Sequence, residues 1–171
     1  MRILLPFTLA ILLAVPASGQ ALKGHNANAP VDVAADRIEI QDRADRAIFS
    51  GNVRVNQAGL SLSAARLTVA YAKGGSNVSI ARLDATGGVT VTSATETASG
   101  DVAIYDLPRR LITMVGGVTL QQGQNRVNGG RLVIDLNSGR AVVDGSAVGG
   151  ATGAATGGRV TGRFTVTNKG Q

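Results

Sequence analysis

The sequence predicts an all-β fold: an antiparallel sheet of repeated short strands, folded over on itself around an apolar interior. Three observations predict it. The first is a recurring phrase. Arg46-Ala47-Ile48-Phe49-Ser50-Gly51-Asn52-Val53 returns as Arg82-Leu83-Asp84-Ala85-Thr86-Gly87-Gly88-Val89, and again as Arg110-Leu111-Ile112-Thr113-Met114-Val115-Gly116-Gly117-Val118. A worn copy, Arg140 to Gly145, closes the series. The intervals are 36, then about 29, then about 30 residues, a period at which one small β unit stacks against the next. The second is period-2 alternation of apolar and polar residues from Val31 onward, which suits strands with one buried and one wet face. The third is composition. Gly is 23 of 171 residues, aromatics are 3%, and Trp and Cys are absent, so glycine-turned strands of Val, Ile, Leu and Thr carry the pattern.

The N-terminus reads as an export address. Arg2 precedes a run from Ile3 to Val15 that is apolar except for Thr8, and small residues follow. Residues 1–21 are therefore assigned to a secretory signal peptide. The run is shorter than the roughly 20 residues that span a bilayer. Residues 22–30 form a small, polar leader expected to be mobile. Residues 31–145 hold the β domain. A second phrase interleaves with the first: Ala35 to Ile40 matches Ala64 to Val69, and Asp101 to Leu107 matches Gly130 to Leu136, each at 29 residues. Each unit thus carries two strand phrases of four to eight residues. Extra residues around Lys73-Gly74-Gly75-Ser76-Asn77 read as an enlarged turn. Residues 146–171 are Gly-, Ala- and Thr-rich, and a mostly disordered tail is expected there.

The repeats fix side-chain parity. A one-residue slip moves every side chain to the other face. Asp101 to Leu107 is ambiguous alone, but its copy is not: Leu132, Ile134 and Leu136 oppose Arg131, Val133 and Asp135. The earlier copies agree, with Ile38 and Ile40 against Arg37 and Glu39, and Leu67 and Val69 against Arg66 and Thr68. Tyr105 and Leu107 are therefore expected inside. The Gly-x-Val phrases put Val53 and Val55, Val89 and Val91, and Val118 and Leu120 inside, with Arg54, Thr90 and Thr119 outside. This interior stripe is the candidate site. It reads either as a packed core or as a groove for acyl chains, and its short branched side chains leave room for the groove.

No catalytic machinery emerges. His25 is the only histidine and sits in the leader, so no Ser/His/Asp set can be assembled. Asp and Glu are scattered, and no metal cluster, catalytic residue or cofactor site is expected. The Gly-Gly pairs lack the Lys and the helix of a phosphate loop and read as bulges. The formal net charge of +6 is spread along the chain without aromatic interleaving. That disfavours nucleic acid and is compatible with an anionic partner such as an acidic glycolipid.

These phrases together resemble the LptA/OstA-like family of periplasmic lipopolysaccharide-transport proteins. The carrying residues are Pro30 to Asp36, Ala47 to Val55, Leu62 to Leu67, Ala103 to Asp106, Met114 to Gln122 and Gly130 to Leu132. The resemblance covers about residues 30–145. It implies an OstA-like β-jellyroll whose interior carries the lipid A acyl chains of lipopolysaccharide in the periplasm. It implies Val31 and Val33, with Tyr105 and Leu107, as positions on that lipid path. It further implies docking to an LptC-like inner-membrane protein and an LptD-like outer-membrane protein, with a head-to-tail homo-oligomer as one form of the bridge. An LptC-like membrane-anchored relay and a purely structural β-solenoid are the alternative readings. The chain departs from the family in its scarce interior aromatics and its long tail.

Overall fold

The computed structural model describes residues 25–74, 77–145 and 158–165. The expected signal segment, the tip of the enlarged turn and the tail at 146–157 and 166–171 lie outside them. The described residues form one ten-stranded antiparallel sheet. Its strands are β1 (Asp32–Ala34), β2 (Arg37–Gln41), β3 (Arg46–Gln57), β4 (Leu60–Gly74), β5 (Asn77–Thr92), β6 (Glu96–Asp106), β7 (Leu111–Gln122), β8 (Asn125–Asp135), β9 (Arg140–Asp144) and β10 (Thr161–Arg163). Strands β3 to β8 run as a meander, each paired with the next. Between β3 and β4 the chain reverses on Ala58 and Gly59, both at positive φ (45° and 82°), as a tight hairpin turn requires.

The repeated glycine phrase is the crease of the sheet. Register shifts fall at Ser50/Val53 on β3, Thr86/Val89 on β5 and Val115/Val118 on β7. The skipped residues are Gly51-Asn52, Gly87-Gly88 and Gly116-Gly117, all at positive φ. Each pair makes a bulge that bends its strand. The short strands expected from sequence are therefore halves of strands 11 to 16 residues long, joined at a bulge or facing one. Each half-sheet has its own edges. β2 pairs Arg46 to Ser50 of β3, and β1 pairs Arg54 to Asn56. At the far side β9 pairs Arg131 to Asp135 of β8, and β10 pairs Arg126 to Asn128.

The two half-sheets fold face to face, and residues of both belong to one apolar cluster. Side chains line up across the strands because opposite residues share a face. In the first layer one row runs Ile40, Ala47, Val69, Leu83, Tyr105, Ile112, Ile134, Ala141. A parallel row runs from Ile38 and Phe49 through Leu67 and Met114 to Leu132 and Val143. The second layer answers with Val33, Val55, Leu62, Val91, Ala98 and Leu120. Backbone ladders run along the sheet, and none of those described joins one layer to the other.

One expectation needs correction. Ile38 and Ile40 have inward parity, since they oppose Phe49 and Ala47, yet they are 54% and 64% exposed. They lie on edge strand β2, where the second layer does not cover them. Residues 25–30 of the leader lie against the sheet. They make a turn, with Ala29 N–H donating to the Asn26 carbonyl at 3.1 Å, and are tied to the sheet. Within the tail, Thr161, Gly162 and Arg163 pair with Asn128, Val127 and Arg126.

Candidate functional site

The sequence-predicted interior residues come together on the facing sides of the two layers. Val53, Val55, Leu67, Val69, Val89, Val91, Tyr105, Val118, Leu132, Ile134 and Leu136 are buried in one cluster. Val31, Val33, Leu107 and Leu120 are half-buried and pack against it. Ile38 and Ile40 extend the same face beyond the cover. Leu60, Ala64, Leu83, Ala85, Ala98, Ala103, Ile112 and Met114 complete the cluster and were not named as interior by the sequence reading. Ile112 and Met114 had a signal: they precede Val118 and Leu120 at the same parity.

The layers meet closely. Val31, Val55, Gln57, Leu60, Leu62 and Val91 of one layer face Leu83, Ala103, Tyr105 and Ile112 of the other across about 20 Å³ of cavity. That holds roughly one water. A smaller gap of about 10 Å³ lies among Val91, Ser93, Glu96, Ala98, Leu120 and Ile134. The interior is thus a filled apolar seam, and no backbone hydrogen bond described crosses it.

Two polar groups mark the seam near its β1 end. Gln57 is 4% exposed. Its Nε2 donates to the carbonyls of Ala27 at 3.1 Å and Ala29 at 2.9 Å, and its Oε1 lies 3.1 Å from His25 Nε2. Arg110 reaches the same segment, donating to Asn28 Oδ1 at 3.1 Å. Gln57 thereby straps residues 25–30 over the β1 end of the seam. Tyr105 is 5% exposed, and its buried hydroxyl has no hydrogen-bond partner among the described residues. Burial raises its pKa above 10.0, against a smaller opposing effect of Arg110. At the other end Glu96 is buried and accepts from Gln122 Nε2 at 3.1 Å. Among the described residues no cluster of three or more His, Asp or Glu side chains is placed to hold a metal.

The family model described as LptA/(LptD N-terminal domain) LPS transport protein matches residues 32–140. The chain belongs to that family. The matched span begins at β1 and ends where β9 starts, so it covers the creased domain of this LptA/LptD-type chain and neither the strap nor β10. An uncharacterized protein of Rhizobium meliloti (strain 1021) is 33% identical over 121 residues, 67% of this chain and 65% of that protein's length. The crystal structure of LptH from Pseudomonas aeruginosa superposes with a TM-score of 0.70. It is 17% identical, and the match covers 81% of this chain and 97% of that one. LptH is the LptA-homologous periplasmic component of the conserved lipopolysaccharide transport device. At that identity the likeness establishes the LptA-like jellyroll fold. Among the described residues no helix is long and apolar enough to cross a membrane.

Proposed function

We propose that this chain is a periplasmic lipopolysaccharide carrier. It holds the acyl chains of lipid A between its two sheet layers and passes them from the inner towards the outer membrane. The carrying observation is the uninterrupted apolar seam that runs across the sheet from Ile40 to Ala141. Family membership supports the cargo. The resting seam has no space for an acyl chain, so loading requires the layers to part. The layers are joined by the strands that cross the crease and, at the β1 end, by the strap that Gln57 and Arg110 hold from either side. Elsewhere they meet through side-chain packing, so parting them there breaks no described backbone ladder. An entering chain replaces one apolar contact by another.

The open edges support end-to-end transfer. β1 and β2 on one side, and β9 and β10 on the other, present strand edges with no described partner beyond them. Such edges accept strands of another chain. An LptC-like protein, an LptD-like protein and a second copy of this chain are the proposed partners. Uncovered Ile38 and Ile40 gain cover in a junction on the β1/β2 side.

The close packing favours a second reading, a structural β-domain with a dry core. A photocrosslinker separates the two. At Tyr105 or Leu107 it captures lipopolysaccharide in cells, and at Arg54 or Thr90 it does not. Equal labelling at all four positions, or none at any, refutes the carrier.

A further inference from the structure

The Tyr105 hydroxyl is the one polar atom of its row, flanked in register by Leu83 and Ile112. It is fully enclosed and unpartnered among the described residues. A phenylalanine fills the same space without leaving a buried hydroxyl unsatisfied, so the folded chain carries a cost that packing does not explain. The neighbouring amide does not relieve it in this structure. Both Nε2 hydrogens of Gln57 serve the Ala27 and Ala29 carbonyls, and its Oε1 faces His25. A tyrosine hydroxyl is a donor that seeks an acceptor oxygen.

We propose that Tyr105 reads an oxygen on the acyl chain that enters the seam, so that the interior selects oxygen-bearing acyl chains over plain alkyl chains. This rests on the carrier reading above. The acceptor can come from two sources, an ester carbonyl or a hydroxyl on the chain. Both give the phenol what it lacks in the resting state. Leu83 and Ile112 beside it give the flanking methylenes an apolar bed. Selection follows from asymmetry: an alkyl chain that enters leaves the hydroxyl unpaired, whereas an oxygen-bearing chain pairs it.

The test uses the full delipidated chain and its Tyr105→Phe variant, which keeps the ring and removes only the oxygen. Three probes share a phosphocholine head: tetradecylphosphocholine, myristoyl-lysophosphatidylcholine and its 3-hydroxymyristoyl form. Affinities are measured by displacement of a fluorescent fatty-acid probe. Wild type is expected to prefer an oxygen-bearing chain about 3- to 10-fold, the worth of one neutral hydrogen bond. The preference disappears in Tyr105→Phe, while alkyl binding is kept or strengthened. An equal loss for both ester-bearing probes assigns the carbonyl, and a loss that appears only with the hydroxylated probe assigns the hydroxyl. Equal preferences in the two proteins overturn the Tyr105 assignment and leave the carrier standing. Failure of every probe to bind wild type overturns the carrier, and the assignment with it.

Discussion

Gly87 and Ala65 touch across the crease: a β-carbon added to Gly87 lies 2.6 Å from the Ala65 Cβ. Gly88, one residue on, faces open space. Both glycines are at positive φ, 86° and 72°. Each alanine substitution therefore carries left-handed backbone strain of about 1–2 kcal/mol. Gly87→Ala adds a backbone-proximal clash, worth about another 1–3 kcal/mol. Urea unfolding should rank Gly87→Ala clearly below Gly88→Ala. Adding Ala65→Gly should recover the clash and not the strain. Equal midpoints for the two single variants would show that the crease tolerates a methyl on either residue.

This crease explains what was legible in the sequence. On β3, β5 and β7 the bulge keeps parity, so Val53, Val89 and Val118 continue the inward series of Ala47, Ala85 and Met114. The repeated phrase made these positions readable. On β4, β6 and β8 no pair at positive φ compensates, not even Gly129-Gly130 of β8, and parity inverts at the crease. Leu60, Leu62 and Ala64 face inward on even numbers, and Leu67 and Val69 on odd ones. Extrapolating back from Leu67 on β4, or from Tyr105 on β6, picks the wrong face, so Leu60, Ala64 and Ala98 are not legible from those neighbours. The exposure of Ile38 and Ile40 was illegible for another reason. Parity gives the direction of a side chain, and cover depends on how far the opposing layer extends.

That distinction can be measured. Ile134 and Ile40 share a row, yet Ile134 is buried and Ile40 is not. Ile134→Asp places an unpaired carboxylate in the seam and should cost several kcal/mol, enough to unfold a domain of ordinary stability. Ile40→Asp should change stability by about 0.5 kcal/mol or less, as exposed substitutions do. Thermal melts of both decide it. A strong loss at Ile40 would mean that another surface covers β2.

Gln57 holds the strap by two hydrogen bonds to backbone carbonyls. Gln57→Leu keeps the apolar contact with Val31 and Leu60 and removes both donors. The expected loss is about 1–3 kcal/mol, at roughly 0.5–1.5 kcal/mol per bond. The local signature is faster hydrogen exchange at the Ala29 amide, with the β5 and β7 ladders unchanged. Unchanged exchange at Ala29 would mean that Arg110 and Asn28 secure the strap alone.

Tyr105 also sets an alkaline limit. Its pKa is raised in the folded chain, chiefly by burial, from an ordinary value of 10.0. The neutral phenol is therefore favoured in the fold relative to the unfolded chain. A raised folded pKa gives stability that is complete below the unfolded value and is lost as pH climbs from there through the folded pKa. Below about pH 9 the melting profiles of wild type and Tyr105→Phe should run parallel. Above pH 10 wild type should lose stability relative to the variant, because unfolding then releases a proton that the fold retains. Urea midpoints at pH 7, 9, 10 and 11 test this. The difference between the two proteins isolates Tyr105 from every other group that titrates there. Parallel curves through pH 11 would mean that solvent reaches the phenol, and an exposed hydroxyl has no need of an acyl oxygen.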